Sequence, residues 1–162
     1  NSPHNKPNPR YIKEKKPWNE LLQKIQEKYW ALEKPKPLLI KIAPDLSEEQ
    51  LDDIIEISEN NGVKGIIMGN TTISRSGLTI KEEKVIRIGP GGLSGKPIFK
   101  VSTNKLKYLY NKLGTKLTLI GVGGIMNKSD VQEKIENGAS LIQLYTGFVY
   151  NGPGFVRKIL RT

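Results

Sequence analysis

Four short apolar runs, each followed by a predicted helix, constrain the fold of this chain of 162 residues more than any other feature. The runs read "LLIKIAP", "VKGIIMGNTT", "KLTLIGVGG" and "SLIQLYTG" in chain order. They are rich in aliphatic residues, and prolines, glycines or small polar residues bound them, as expected for buried strands of a parallel sheet. Strands that alternate with helices form parallel sheets with covering helices. The pattern therefore predicts an α/β fold, either half of an eightfold barrel or one open, doubly wound sheet.

The predicted helices are marked by apolar residues at helical spacing and by capping residues. The first helix begins at Trp18, ahead of the first strand. The second helix begins with a capping box, because Gln50 follows Ser47 by three positions. Later helices are predicted over residues 102–113, over residues 127–136, and at the end of the chain with Pro153 in the first helical turn.

One domain is predicted for residues 1–162, with two parts of different character. Residues 1–17 are rich in proline and read as an irregular loop region, whereas residues 18–162 comprise a helix and four strand–helix units. Within the second part, residues 73–100 show no clean period and contain "GPGGLSGKP", so we predict a long functional connection there. The abrupt start at Asn1 leads us to expect a piece of a longer protein.

The composition excludes several kinds of site. Without cysteine, the chain has no disulfide, no thiolate metal site and no cysteine nucleophile. Its single histidine, His4, argues against a histidine-rich metal centre and against a Ser–His–Asp triad, so no metal site is predicted. No apolar run in the sequence approaches the ~20 residues of a membrane-spanning helix.

The net charge of +10 has three interpretations. It suits a nucleic acid or an anionic membrane surface, it suits an anionic small molecule, and it also fits a lysine-rich surface in contact with solvent. Half of the excess lies in residues 1–36. Because aromatic and basic residues do not alternate as they do in single-strand binders, we predict no nucleic-acid partner.

The first two apolar runs contain polar side chains at or near their carboxyl ends, where ligands bind in both candidate folds. Lys41 lies inside the first run, where an unpaired ammonium is costly to bury. It is predicted either to face a ligand or to pair with an acid such as Asp45. Asn70 and Thr71 end the second run and offer an amide and a hydroxyl that could read a planar heterocycle, although asparagine also favours turns.

The third and fourth runs end in a glycine-rich turn and in "YTG". "GVGG" ahead of a helix resembles a phosphate cradle, because backbone N–H groups and a helix N-terminus both attract an anion. It is not a dinucleotide fingerprint, since Met126 stands where the last glycine would be, and no Walker motif follows. Together with "YTG" about twenty residues later, it matches the phosphate site that barrels build from the loops after their last two strands.

Five segments together resemble the dihydroorotate dehydrogenase family: "KIAPDLSEEQL", "GNTTISR", "GGLSGKP", "GVGGI" and "GASLIQLYTG". They occur in that family's order and spacing, over nearly the whole chain, and are most similar to class 2, the quinone-using branch. The absence of cysteine agrees, since class 1 typically uses a cysteine base and class 2 a serine. The resemblance implies the C-terminal half of a TIM (β/α)8 barrel built around FMN, with four parallel strands and covering helices.

The resemblance also implies roles for individual residues. Lys41 and Gly69 are expected to contact the flavin, and Asn70 and Thr71 are expected to bind the substrate. The residues implied around the ribityl phosphate are Gly95, Gly124, Tyr145 and Thr146.

The start of the chain departs from the family pattern Ser-Pro-Asn-Thr-Pro, in which the serine is the base and the asparagine binds substrate. An alignment without gaps places Asn5 on the substrate asparagine and puts Pro3, which cannot accept a proton, on the base. A one-residue insertion at His4 makes Ser2 the catalytic base, and that is our prediction. Lys6 stands where the family usually has threonine.

The implied function is FMN-dependent oxidation of (S)-dihydroorotate to orotate with a quinone as electron acceptor, in de novo pyrimidine biosynthesis. The implied partners are dihydroorotate or orotate, and a quinone bound through a preceding N-terminal part. A further implied partner is a membrane, bacterial cytoplasmic or mitochondrial inner, with which the full-length protein associates peripherally. The alternatives are another phosphate-binding barrel enzyme without flavin and a non-catalytic fragment. Half a barrel leaves sheet edges open, so we expect the chain alone to be inactive.

Overall fold

The computed structural model describes residues 15–29 and 31–161. Its elements are α1 (Lys15–Tyr29), β1 (Leu39–Ile42), α2 (Glu48–Asn60), β2 (Gly65–Met68), α3 (Glu82–Ile88), α4 (Phe99–Leu113), β3 (Thr118–Val122), α5 (Lys128–Glu136), β4 (Leu141–Gln143), α6 (Thr146–Asn151) and α7 (Phe155–Leu160). A 3₁₀ turn, Lys96–Ile98, leads into α4. No helix within these two ranges is both long and apolar enough to cross a membrane.

The four strands form one parallel sheet in the order β1-β2-β3-β4. In this register Leu39 is opposite Gly65, Gly65 is opposite Thr118, and Ile120 is opposite Leu141. A strictly sequential order is that of a barrel wall, whereas a doubly wound sheet reverses its order at a switch point. The predicted fold class is therefore confirmed, and the sheet formed by the described strands is not closed into a barrel.

One hydrogen bond between the two edge strands indicates that the sheet is curved. Lys41 on β1 and Gln143 on β4 lie on opposite edge strands, yet Lys41 Nζ donates a hydrogen bond to Gln143 Oε1 over 3.0 Å. Neighbouring strands lie ~4.8 Å apart, so a flat sheet would hold the two edge strands about 14 Å from each other. A concave face brings the two side chains together, and this is the curvature expected of a barrel wall.

The convex face of the sheet holds the core. Its strand residues are at most 6% exposed: Ile40, Ile42, Ile66, Met68 and Leu119. The helices cover them with Leu22, Leu51, Ile54, Ile57, Leu106, Leu109 and Leu113. Burying each of these side chains contributes roughly 1.5–3 kcal/mol to folding before the entropy cost is subtracted, so this layer holds the half-barrel together.

The concave face carries the alternate residues of the same strands, because successive side chains of a strand point to opposite faces. Leu39 and Leu141 are 39% and 57% exposed there, in contrast to the core residues beside them. Lys41 and Gln143 share this face, because each lies two residues after one of these leucines on the same strand. The concave face is thus a partly apolar surface with a polar pair at its carboxyl end.

Two helices begin with complete capping boxes. The predicted box at Ser47 and Gln50 is confirmed, since each side chain accepts a hydrogen bond from the other residue's backbone N–H. A second box joins Asn127 and Asp130 at the start of α5, which sequence analysis missed although the asparagine and the acid have the required spacing.

Several predicted boundaries are wrong. The first helix begins at Lys15 rather than Trp18, because Pro17 is tolerated in a first turn, where its missing N–H has no partner to lose. The segment 73–100 contains α3, which has no buried residue and therefore lacks the apolar period that would reveal it. Pro153 precedes α7 instead of lying in its first turn.

The end of the fourth apolar run also differs from the prediction. β4 ends at Gln143, and Thr146 begins the short helix α6 instead of extending the strand. Tyr145 is the residue that precedes this helix, with φ of −136° and ψ of −79°. The "YTG" segment is therefore a strand-to-helix turn at the carboxyl end of the sheet.

Candidate ligand site at the carboxyl ends of the strands

One cleft of about 350 Å³ lies at the carboxyl ends of the four strands. Eight of the ten predicted site residues line it: Lys41, Gly69, Asn70, Thr71, Gly95, Gly124, Tyr145 and Thr146. They come from every strand end and from the long connection after β2, so the fold brings together residues that are far apart in sequence. The two others, Ser2 and Asn5, lie outside the described residues.

Glycine is required where the strand ends turn into the cleft. Gly69 has φ of 139°, and a Cβ built on it would lie 2.5 Å from the Val122 carbonyl oxygen. Gly124 has φ of 75°, and its Cβ would lie 2.5 Å from Phe99 Cβ. Positive φ is strained for other residues, and backbone also fills the space that a side chain would need. These turns therefore expose main chain, not side chains, to a ligand.

The turn after β3 does not rely on the N-terminus of α5 to attract an anion, contrary to the prediction. Asp130 of α5 already accepts hydrogen bonds from the backbone N–H groups of Met126 and Asn127, at 2.7 and 3.2 Å. This carboxylate occupies the N-terminus of α5, where an anion would otherwise be favoured. An anion in the cleft would instead meet the turn formed by Gly123 and Gly124, called the glycine turn below.

The long connection reaches the cleft by folding back on the end of β2. Thr72 and Leu93 exchange two backbone hydrogen bonds, of 3.0 and 2.8 Å, in an isolated antiparallel bridge. Gly95 follows two residues later with φ of 84°, and a Cβ there would lie 3.2 Å from Thr146 Cγ2. Thr146 Oγ1 donates to Ser94 Oγ over 2.9 Å and so ties the connection to the start of α6.

The cation of the cleft is not paired with an acid among the described residues. Lys41 binds Gln143 as described above, and the alternative that it pairs with Asp45 is wrong. Asp45 accepts a hydrogen bond from Thr72 Oγ1 and another, of 3.2 Å, from the Ile73 backbone N–H. No aspartate or glutamate is among the described residues that line the cleft. The cleft is therefore suited to an anionic or electron-rich ligand.

Asn70 is oriented by its own neighbour. Its Oδ1 accepts a hydrogen bond from the Thr71 backbone N–H over 2.9 Å, and its Nδ2 group, which has no acceptor among the described residues, can donate to a ligand in the cleft. Gly92 packs directly on the Thr71 side chain, where any Cβ would collide with Thr71 Oγ1. Asn70 and Thr71 are half-buried, so a ligand in the cleft can reach an amide donor and a hydroxyl.

Other predicted features receive less support from the geometry. Tyr145 lines the cleft but is 79% exposed, and the structure shows no contact that closes its ring over the glycine turn. Ser94 and Gln143 were missed by sequence analysis, although Ser94 adjoins Gly95 in the quoted "GGLSG". Within the described residues, no group of three or more histidine, cysteine, aspartate or glutamate side chains could hold a metal ion.

Known proteins share both the sequence and the fold. The family model for dihydroorotate dehydrogenase matches residues 1–162. A dihydroorotate dehydrogenase (quinone) of Christiangramia forsetii is 48% identical over 155 residues, which cover 96% of this chain and 44% of that relative. The mitochondrial dihydroorotate dehydrogenase (quinone) of Oryza sativa subsp. japonica is 42% identical over 159 residues, covering 96% of this chain and 34% of the relative.

Solved structures agree with the sequence comparisons. The crystal structure of DHODH from Eimeria tenella in complex with ferulenol matches with a TM-score of 0.85 at 28% identity. The match covers 96% of this chain and 45% of that chain, so the present sequence spans less than half the length of the relatives that it matches. On sequence and fold together, the chain belongs to the dihydroorotate dehydrogenase family.

Proposed function

We propose that the protein containing this chain binds FMN in the cleft and oxidises (S)-dihydroorotate to orotate, with a quinone as electron acceptor. This step belongs to de novo pyrimidine biosynthesis. The observation that carries the proposal is the convergence of eight residues, implied by the family resemblance, on one cleft. These residues come from four strand ends and a connection, so the fold has to bring them together from distant parts of the sequence.

The glycine side of the cleft fits the ribityl phosphate of FMN. Gly95 and Gly124 both expose main chain at positive φ, a side chain at residue 124 would collide with Phe99, and Thr146 adds a hydroxyl. Backbone N–H groups exposed at glycine turns are a common anion site. We assign the phosphate to this end of the cleft, with Tyr145 at its rim.

The strand side of the cleft fits the flavin ring. Lys41 projects from β1 into the concave face, and Gln143 holds its ammonium there. When bound, FMN supplies a two-electron acceptor for the hydride that leaves C6 of the substrate. Lys41 would stabilise negative charge that develops on a ligand beside it, and the Gly69 turn allows close approach of the ring.

Asn70 and Thr71 are proposed to hold the substrate. The Nδ2 group of Asn70 can donate to a carbonyl or carboxylate oxygen, and Thr71 contributes a hydroxyl beside Gly92, where no side chain would fit. Fixed contacts of this kind orient the substrate in reacting geometry. Asn5 is assigned a third contact and Ser2 the removal of the C5 proton, both from the resemblance alone. A serine is a weak base, so its proton must leave through water or a neighbouring hydroxyl.

The electron acceptor is proposed from the relatives, which are named as quinone enzymes. We infer that the quinone binds in part of the protein preceding this chain and that the full-length protein associates peripherally with a membrane. In bacteria that would be the cytoplasmic membrane, and in eukaryotes the mitochondrial inner membrane.

The proposal is tested with the purified full-length protein and two lysine variants. Lys41→Ala should lose bound FMN or slow its reduction by dihydroorotate, as measured by visible absorbance and stopped-flow mixing. Lys64→Ala is the matched control, since Lys64 is an exposed lysine at the amino end of β2. Equal flavin content and equal reduction rates in the two variants would contradict the role of Lys41. A parent protein that binds phosphate esters but no flavin would instead favour another phosphate-binding barrel enzyme.

A further inference from the structure

Lys134 of α5 is a buried charge that the proposed function does not use. It is 0% exposed and is the one charged side chain among the buried residues of the described chain. Its ammonium donates to Ser102 Oγ over 2.6 Å and lies 5.0 Å from the centre of the Phe99 ring. No described carboxylate lies within ion-pair distance of it. A buried, unpaired ammonium is costly, so packing alone does not explain a lysine here.

The contacts of Lys134 lead to the glycine turn of the cleft. Ser102 Oγ, which accepts from Lys134, lies 3.3 Å from the Gly123 carbonyl oxygen and 3.1 Å from that of Phe99. The single hydroxyl hydrogen serves one or both of these carbonyls, since the lysine uses a lone pair of the oxygen. Ser102 and Phe99 form the first turn of α4, which packs against the Gly124 backbone.

This arrangement fixes the direction of one peptide group. The Gly123–Gly124 peptide is trans, so its C=O and N–H point in opposite directions. Because the Gly123 oxygen faces Ser102, the Gly124 N–H faces the cleft that both glycines line. No acceptor within the described residues bonds to the Gly124 N–H. It is therefore available to a ligand.

We propose that Lys134 is a positioning residue for the phosphate site. Through Ser102, its ammonium keeps the Gly123 carbonyl directed away from the cleft and the Gly124 N–H directed into it. The same charge adds positive potential behind the glycine turn. The inference rests on the proposed binding of FMN, and it specifies which end of that ligand depends on Lys134. The phosphate should depend on it, and the isoalloxazine ring should not.

The protonation of Lys134 then couples phosphate binding to pH. Burial lowers the pKa of the Lys134 ammonium to about 8, while the carboxylates of Glu133 and Asp130 on the same helix act in the opposite direction. A bound phosphate adds negative charge nearby and raises that pKa, so binding takes up protons and weakens as the pH rises through 8. A phosphate monoester has its second pKa near ~6, so its own charge stays constant over this interval.

The elements packed against α5 bring no competing titration to this site. Among the described elements these are α4, β4 and α7, and β3, which has no titratable residue, approaches Lys134 at Gly121. α4 faces the ammonium with uncharged Ser102 and Phe99, and its four lysines and two tyrosines do not contribute to the Lys134 pKa. β4 has no titratable residue, and Arg157 and Lys158 of α7 do not contribute either.

The test compares FMN with riboflavin, which has the same ring but no phosphate. Apo full-length protein is titrated with each flavin at pH 7 and at pH 9, and binding is followed by flavin fluorescence. For the parent protein we expect FMN affinity to fall several-fold between the two pH values and riboflavin affinity to stay constant. For Lys134→Met we expect FMN binding about tenfold weaker at pH 7 and no longer pH-dependent, with riboflavin binding unchanged.

Two further variants make the outcome decisive. Lys128→Met removes an exposed lysine from the same helix and should bind FMN like the parent. Ser102→Ala removes the link but keeps the charge, and should also weaken FMN selectively. If Lys134→Met fails to fold, Ser102→Ala alone tests the role of this contact in FMN binding. FMN affinity in Lys134→Met or Ser102→Ala equal to that of Lys128→Met, or equal losses for FMN and riboflavin, would overturn the inference. A parent protein that does not prefer FMN to riboflavin would instead count against the proposed function.

Discussion

The two faces of the sheet are built from alternate residues of the same four strands, yet they follow different rules. On the convex face Ile66 and Leu119 are buried under helices and are replaceable in principle by other apolar residues of similar size. On the concave face Lys41 and Gln143 form a polar pair beside a cleft bordered by glycine turns. Strand alternation thus separates stability from ligand chemistry, so substitutions of strand residues on one face should leave the other face's property nearly intact.

The largest effect on stability is expected on the convex face. Leu119→Ala removes a side chain that is 1% exposed and should lower the free energy of unfolding by roughly 2–5 kcal/mol. Leu119→Met keeps the volume and should cost less than about 1.5 kcal/mol. Urea denaturation of the full-length protein measures both. The comparison between the faces breaks down if Leu119→Met, although stable, loses flavin.

The next largest effect is expected at the glycine turn of the cleft. Gly124→Ala should weaken FMN binding by about a hundredfold, because its Cβ would meet Phe99 and displace the turn, and a factor of ten corresponds to ~1.4 kcal/mol. Gly152→Ala is a matched control, because Gly152 has the same φ of 75° but nothing lies within 4 Å of its Cβ. The two variants share the backbone strain and differ in the collision. Titration with FMN should therefore separate them, and equal affinities would remove the reason for glycine at residue 124.

A smaller effect is expected at the end of β2. The Asp45 carboxylate holds Thr72 Oγ1 and the Ile73 N–H, immediately after Asn70 and Thr71. Asp45→Asn loses one of these acceptors and should lower kcat/KM for dihydroorotate by roughly 5- to 30-fold, the equivalent of about 1–2 kcal/mol, with FMN content unchanged. Asp53→Asn on α2 is the control, since Asp53 is an exposed partner of Lys15. A loss of FMN in Asp45→Asn would show that the strand end supports the cofactor and not the substrate.

The smallest effect concerns the pH dependence of stability. The pKa of Lys134 is about 8 in the folded protein and lies near 10.5 when the residue is solvated. Between these values the unfolded chain binds a proton that the folded chain lacks, so stability rises with pH and the cost of the buried charge is relieved. From pH 7 to pH 9 the parent should gain roughly 1 kcal/mol relative to Lys134→Met. Thermal unfolding at the two pH values measures this gain. If the stabilities of the parent and of Lys134→Met change equally with pH, Lys134 does not carry a buried charge in the folded protein.

The convex face could be predicted from the sequence because its apolar residues recur at the strand and helix periods. Local features can be read directly from a sequence. Examples on α2 are the buried residues Leu51 and Ile54 and the capping box at Ser47. The parallel strand order followed from the same alternation once barrel topology was assumed. The short helix α3 escaped because it buries nothing, and without burial there is no period to detect.

The contacts of the concave face could not be predicted, because they join residues that are distant in sequence. Lys41 and Gln143 are separated by 102 positions, and only the curvature of the sheet brings them together. Asp45 was a plausible partner of Lys41 by proximity alone, but Thr72 and Ile73 hold it instead.

Lys134 escaped detection for a different reason. It stands among charged residues in "VQEKIE", where a lysine is usually solvent-exposed, so its position in the helix does not reveal that it is buried. The glycines of the cleft were easier to predict, because a position that only glycine can occupy is visible in the sequence.

We propose above that this cleft holds FMN in position to receive a hydride from dihydroorotate. The most direct measurement is anaerobic mixing of dihydroorotate with the full-length protein as purified, followed by visible absorbance and by assay of orotate. We predict that the flavin absorbance bleaches and that one orotate forms per bound flavin, before any quinone is added. A protein that carries no flavin, or one whose flavin remains oxidised in the presence of dihydroorotate, would contradict the account.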